Sequence, residues 1–288
     1  MRRPLIHNMS NMNDAMLYVV ATPIGNLEDI TLRALDILAT VDVIAAEDTR
    51  RTRVLMSRHG LDKPLVVLQE HNEEHKAPQL VERLCGGDSV ALVSDAGTPL
   101  LSDPGFRLVR LAAEAGIEVV TVPGPSSITA ALSISGLPTD RFTFEGFLPT
   151  RRAARLKRLA MLKNEPRTMV FFESSHRIQE SLSDLVEVFG EGRGLALCRE
   201  MTKQFETVLR GSLSEIKQQV DNDQNQRKGE FVLVVTGCKP DGDEGLGDAL
   251  GLARALQAYL SASQAARVAA KIHGVSRRDL YTAMEQSG

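Results

Sequence analysis

The 288-residue chain contains no tryptophan, three tyrosines and nine phenylalanines. A row of stacking aromatic platforms is therefore disfavoured, and any nucleic-acid partner would be read through backbone and shape. Cysteines number only three, Cys85, Cys198 and Cys238, well separated and each in or beside an apolar run. That pattern argues against a disulfide framework and a thiolate metal cluster, and reads as buried thiols in a reducing, cytoplasmic compartment. No apolar run approaches the ~18 residues that a membrane span needs. The first fifteen residues are polar and rich in Met and Asn, with no signal-peptide core, so 1–16 is expected to be a disordered extension. Neither sign of charge dominates, since 34 basic and 37 acidic residues leave a net −3. This excludes a polycation, and nucleic-acid contact would have to come from local patches. A Walker-type phosphate loop and a GxGxxG turn are both missing. His71 and His75 find no third ligand, so no metal is expected. No Cys–His or Ser–His arrangement supports covalent catalysis.

What the chain does have is a repeated pattern of short apolar strand followed by a loop of small residues. The fullest example is LVSDAGTPLLSDPG at 92–105. Glycine lets a backbone approach a ligand closely, proline fixes its direction, and such loops at strand ends are where open α/β sheets bind ligands. The same pattern follows 17–21, where TPIGN comes next, 118–122, followed by PGPSS, and 168–172, followed by ESSHR. One such loop reads equally well as an ordinary turn, whereas four point to one composite pocket.

From 17 to 126 strands near 17–21, 43–46, 65–68, 90–93 and 118–122 alternate with helical patterns at 31–38, 51–59, 77–84 and 105–115. That alternation predicts an α/β unit with a mostly parallel sheet. The second unit, 127–240, has strand patterns at 142–144, 168–172, 195–197, 207–210 and 231–236, two of them near hairpin spacing, and should be a mixed sheet. The boundary is expected near 126–136. A Gly/Asp-rich linker at 240–247 precedes a tail, 247–288, that reads as helix, turn, helix, with the break at His273-Gly274 and Ser276 as an N-cap. Arg267, Lys271, Arg277 and Arg278 surround that turn. The tail is either a small helical cap or a nucleic-acid docking element.

Taken in order, ATPIGNLEDITLRAL, AEDTRRT, SDAGTPLLSDPG, VPGPSSITAAL, FEGFLP, FFESSHRI and GEFVLVV resemble the tetrapyrrole-methylase superfamily. Within it they are most similar to the ribosomal RNA small-subunit methyltransferase I branch, over about 17–237, and the helical tail resembles the extra helix-turn-helix piece of some members. The resemblance implies a two-domain, class III methyltransferase α/β fold and S-adenosylmethionine as methyl donor. It implies 2′-O-methylation of a decoding-centre cytidine of 16S rRNA, C1402 in the usual numbering, and a homodimer. Carried onto this chain, it implies that Pro23, Ile24 and Gly25 line the cofactor. Asp95, Ala96, Gly97, Thr98 and Leu101 would hold its amino-acid and ribose parts, Ser126 and Ser127 would add polar contacts, and Phe172 and Met201 would pack on the adenine or sulfonium side. Two departures stand out. Thr-Pro-Ile replaces the glycine-richer first loop of the tetrapyrrole enzymes, and Ser175 stands where members often carry Pro.

A ribose hydroxyl is a weak acid, so a base or charge stabiliser would assist its methylation. Candidates are Glu47, Asp48, His71, Glu73, His176, Lys203 and Glu206, with Glu47, Asp48, His176 and Lys203 ranked first. The segment 149–168 carries seven basic residues against one acid. Arg151, Arg155 and Arg158 are expected on one helical face, opposite Leu156, Leu159 and Leu162, and with Arg152, Arg277 and Arg278 they form the expected RNA contacts. The reading is an S-adenosylmethionine-dependent methyltransferase of small-subunit rRNA. The alternatives are a small-molecule, porphyrinoid methylase of the same fold and a non-catalytic RNA-binding assembly factor.

Overall fold

The computed structural model describes residues 15–238 and 242–286, without the side chains of 242–246 and 286. The extension expected at 1–16 falls outside them up to residue 14, and Met16 already belongs to the first strand.

The first unit runs β1 (Met16–Val20), α1 (Leu32–Thr40), β2 (Val43–Ala46), α2 (Thr49–Arg58), β3 (Leu65–Val67), α3 (Glu73–Cys85), β4 (Val90–Val93), α4 (Phe106–Glu114), β5 (Glu118–Val122). Its sheet has the order β3-β2-β4-β1-β5, and every pairing is parallel. β2 and β4 are buried at all four positions because apolar clusters cover both faces of the sheet. A parallel sheet buried on both sides needs continuous apolar strands, which VIAA and VALV supply. β4 inserts beside β1 after the chain has moved away through β2 and β3, so the loops leaving β1 and β4 emerge side by side. Adjacent loops at such a reversal form a ligand crevice.

The second unit runs α5 (Ser127–Ser135), β6 (Phe142–Phe147), α6 (Arg152–Leu162), β7 (Thr168–Ser174), α7 (Ile178–Phe189), β8 (Gly194–Arg199), β9 (Thr207–Ser212), α8 (Leu213–Asn222), β10 (Glu230–Val235). The sheet order is β6-β7-β10-β8-β9. Only β6 and β7 pair in parallel, so the sheet is mixed. α5 packs through Ile128, Ala131 and Leu132 on Val170, Ala196, Val232 and Val234 of this sheet.

Three helices follow: α9 (Gly242–Leu256), α10 (Ala262–His273), α11 (Arg277–Gln286). Small alanines, Ala249, Ala253, Ala266 and Ala269, let them pack closely around Leu280. The linker expected at 240–247 is largely replaced by α9, because a Gly/Asp-rich composition hides a helix whose apolar spacing starts late, at Leu246, Ala249 and Leu250. Ser261 caps α10 reciprocally with Gln264, and Gly274 ends it with a left-handed φ of 66°. α3 also begins a turn earlier than expected, ahead of Pro78. Glu73 in that turn accepts the Arg107 and Leu108 amides at 2.7 and 3.3 Å and so caps α4. Of the cysteines, Cys198 is buried and its thiol is pushed up to about 11 by desolvation, but Cys85 is exposed.

The largest correction concerns α6. Arg155 is completely buried, so it is not an RNA contact. Positions 155, 159 and 162 lie four and three apart, which puts Arg155 on the same inward face as Leu159 and Leu162. Its guanidinium meets Asp184 at 2.7 Å and Glu180 at 3.3 Å, and donates to the Pro149 and Thr150 carbonyls. Arg152 bonds Asp184 and Glu187, and Arg158 bonds Glu145. Three arginines of the one-sided charge run are thus paired with acids elsewhere in the sequence. Removing one member of a buried pair leaves an uncompensated charge. Arg155→Ala should therefore lower unfolding stability by about 3–5 kcal/mol in urea titration, while Arg155→Met combined with Asp184→Leu should recover most of the loss.

Candidate functional site

Four strand ends build the site. Thr22, just past β1, and Gly97, past β4, exchange two backbone hydrogen bonds of 2.8 and 2.9 Å. The Thr22 hydroxyl also donates to the Ser94 carbonyl at 3.1 Å. Gly97 has a φ of 84°, a region that glycine enters without a Cβ penalty. Thr98 Oγ1 then donates to the Pro125 carbonyl at 3.2 Å, tying this loop to the one after β5. Leu100 and Ser102 hold positive φ values of 73° and 67° in the same loop, a backbone cost that clusters at functional sites.

The second unit closes over these loops. A side chain at Gly25 would put its Cβ 2.6 Å from Lys203 Cγ and 2.9 Å from the Met201 carbonyl, so glycine is required for the approach. The Asn26 amide donates to Thr202 Oγ1 at 3.0 Å across the same seam. Between the units lies a cleft of about 480 Å³, within the usual range for small-molecule sites. Beside it a narrow cavity is bounded by Ala96, Gly97, Thr98, Leu101, Ser126 and Ser127. A third hollow, under Pro23, Ile24 and Gly25, opens off the cleft past Asp95 and Ala96.

All twelve residues assigned to the cofactor by sequence, Pro23, Ile24, Gly25, Asp95, Ala96, Gly97, Thr98, Leu101, Ser126, Ser127, Phe172 and Met201, line one of these three spaces. Phe172 and Met201 do so while also belonging to the apolar cluster around α5. Phe172 is held edge-to-face by Phe144 and Phe147, with centroids 4.9 and 5.5 Å away.

The catalytic candidates divide. Glu47 lines the cleft, and burial, reinforced by the charge of Asp95, pushes its carboxyl up. Lys203 lines it too, with Nζ 2.9 Å from Glu200 and 2.8 Å from Glu230. Burial opposes its charge, but the hydrogen bonds to Glu230 and Glu200 outweigh that and hold its pKa above the usual lysine value. Asp48 is occupied elsewhere. It caps α2 and grips the Arg50 guanidinium, which lowers its carboxyl to about 2. His176 is exposed and lines none of the three spaces.

One group escaped the candidate set. Asp103 borders both the cleft and the narrow cavity. Burial, and then the charge of Glu47, raises its carboxyl to about 6 despite a hydrogen bond from Ser94. The only sequence signal was its place in the turn-rich loop; Glu47 reaches it from a strand end 56 positions earlier. A second omission is α2, where Arg50, Arg51 and Arg53 are exposed and Arg51 borders the cleft, 3.5 Å from Asp95. Arg151, Arg277 and Arg278 are exposed as expected, Arg277 donating to Ser263 Oγ. Among the described residues no cluster of side chains could hold a metal ion, and no helix is long and apolar enough to cross a membrane.

Residues 16–217 match the family described as Tetrapyrrole (Corrin/Porphyrin) Methylases, and 243–287 match the RsmI C-terminal HTH domain. Curated relatives named ribosomal RNA small subunit methyltransferase I include one from Xylella fastidiosa, 53% identical over 92% of this chain and 97% of that one. Another, from Escherichia coli O157:H7, is 49% identical over 98% and 99%. Among solved structures, the methyltransferase CobJ aligns with a TM-score of 0.59 at 20% identity, over 78% of this chain and 95% of that one. Diphthine synthase aligns at 0.58 and 18%, over 77% and 90%. The solved structures share the fold alone, whereas the curated relatives run the length of the chain. This chain belongs to the tetrapyrrole methylases and, within them, to the ribosomal RNA small subunit methyltransferase I family.

Proposed function

We propose that this protein methylates 16S rRNA of the small ribosomal subunit with S-adenosylmethionine, at the ribose 2′-oxygen of the decoding-centre cytidine C1402, as a cytoplasmic homodimer. The observation that carries the reading is the convergence of loops from four strands on one cleft with an adjoining narrow cavity. The names of the curated relatives support the rRNA substrate.

The lining fits the donor chemically. Five carboxyl residues, Glu47, Asp95, Asp103, Glu173 and Glu230, face the cleft against Arg51 and Lys203, so the surroundings favour a cation. Ser126 heads α5 without a side-chain cap bond, and that helix N-terminus borders the narrow cavity, a polarity suited to a carboxylate. Phe172 and Met201 supply apolar surface for a heterocycle. When bound, S-adenosylmethionine supplies an electrophilic methyl on a cationic sulfur. The protein's task is then alignment. Well-oriented groups gain on the order of 7 kcal/mol over free encounter, and the bridge between Thr22 and Gly97 fixes the loops that orient them.

Small subunits from cells lacking this protein, incubated with purified protein and labelled S-adenosylmethionine, should gain one 2′-O-methyl group detectable by nucleoside mass spectrometry. Unchanged rRNA methylation would overturn the reading. Gly97→Asp should abolish donor binding by calorimetry, since the positive φ at position 97 strains any side chain and an added carboxylate would crowd the narrow cavity that Gly97 lines. For RNA, Arg53 of α2 and Arg151, both exposed and outside the ion pairs that hold Arg50 and the α6 face, are the expected phosphate contacts. Arg53→Ala with Arg151→Ala should weaken subunit binding and flatten its logarithmic salt dependence by about 1–2 units. Arg155→Met should leave that slope unchanged.

A further inference from the structure

Of the aromatic rings that line the cleft, Phe147, Phe172 and Phe231, only Phe147 is exposed, at 54%. The strand takes an irregular course to put it there. β6 and β7 keep register up to Phe144, which pairs with Val170; Glu145 is then an extra residue, and Gly146 pairs with Phe171. Gly146 is buried at a φ of 67°, and a Cβ on it would stand 3.3 Å from Ser102 Oγ, so the bulge abuts the loop after β4. Side chains alternate between faces along a regular strand, and positions 144 and 147 would then fall on opposite faces. The extra residue returns Phe147 to the face of Phe144, and both rings meet Phe172 edge-to-face. Just beyond, Leu148 is buried and its carbonyl accepts from Arg177 Nη1 at 2.9 Å, which fixes the strand end. The result is a rigidly held ring with more than half its surface open to what enters. Phe147 lines the cleft but neither the narrow cavity nor the hollow under Pro23, Ile24 and Gly25.

The charge of the same walls limits what can enter. Five carboxyl residues stand there against Arg51 and Lys203, so a phosphate is disfavoured inside. The part of a nucleotide that the cleft can admit is its uncharged part, the base and the ribose. We propose that Phe147 stacks on the base of the acceptor nucleoside, turned out of its RNA, and thereby positions the ribose hydroxyl for the donor. This rests on the functional reading above. A base that leaves its neighbours loses their stacking, and a protein aromatic face replaces it. The flanking phosphates stay outside the cleft, where Arg151, exposed and four residues beyond Phe147, can meet them. A chain with few aromatics needs only one such platform for one extruded base, while the rest of the RNA is met through its backbone and shape.

The test reads the apparent second-order rate constant from single turnovers of small subunits from cells lacking this protein, with donor affinity by calorimetry and stability by urea titration. It compares wild type with Phe147→Leu, which stays apolar but loses the ring, Phe147→Tyr, which keeps the ring, and Phe142→Leu, which removes an exposed ring at the other end of β6. Loss of one base–aromatic stack should lower the constant in Phe147→Leu by about 5- to 100-fold. Phe147→Tyr should recover most of that loss, and Phe142→Leu should match wild type. Donor affinity and the urea midpoint should stay at their wild-type values throughout, because the ring is more than half exposed and lies outside the narrow cavity. Phe147→Met, equally without a ring, repeats the measurement with a second side chain. A constant for Phe147→Leu and Phe147→Met within about threefold of wild type, below the smallest loss a stack predicts, overturns the proposal. So does a Phe147→Tyr no better than Phe147→Leu, or a parallel loss of rate and donor affinity, which would make Phe147 a donor contact. If wild type transfers no methyl group to the subunit, the functional reading fails and this assignment with it. If wild type methylates and Phe147→Leu keeps pace, only the assignment fails.

Discussion

The site depends on two hydrogen bonds between Thr22 and Gly97. They form one reciprocal antiparallel bridge just beyond the ends of the parallel strands β1 and β4. Without it the two loops would leave the sheet independently, and each would carry its own conformational entropy. With it, the first loop, the β4 loop and, through Thr98, the β5 loop become one surface. The strand order makes this available, because β4 inserts next to β1 only after two crossovers. The active surface is thus a product of topology before it is a product of side-chain chemistry.

That surface is electrostatically costly. Glu47, Asp95 and Asp103 converge from β2 and the β4 loop, and like charges in a partly desolvated wall oppose one another. A fold selected for stability alone would separate or neutralise them. Here the neighbouring carboxylates are quenched selectively: Glu173 by Arg177, Glu230 by Lys203, Asp95 by Arg51. What remains is the mutual repulsion of Glu47 and Asp103, which a cationic ligand would relieve. Such a ligand binds the folded state and stabilises it by mass action.

How far the sequence could be read follows the range of each interaction. The strands and their loops were legible because apolar runs and Gly/Pro/Ser punctuation are local signals, and ten of the twelve residues expected at the cofactor sit in such loops, Phe172 lying within β7 and Met201 in the turn after β8. Arg155 was misread because its partners Glu180 and Asp184 lie 25 and 29 positions away, so a local charge count saw only the basic side of a paired network. Even so, its spacing from Leu159 and Leu162 held the clue. Asp48 and His176 looked reactive by type. The competing Arg50 contact of the first, and the position of the second beyond the cleft, belong to three-dimensional placement. α9 was missed because glycine and aspartate mimic a linker. Asp103 stood in plain view within the motif, but its altered acidity comes from burial and from Glu47 at the end of another strand.

The contact at Gly25 has a mechanical meaning. The backbone of the first loop rests against the 201–203 turn with no room even for a methyl group, and the Asn26 amide is bonded to Thr202 there. At this point the halves of the molecule cannot draw nearer, so the contact serves as a fulcrum. A rocking that widened the cleft near Phe147 would pivot about this corner. A lever of that kind changes the width of the entrance a great deal while hardly disturbing the loops beside the pivot.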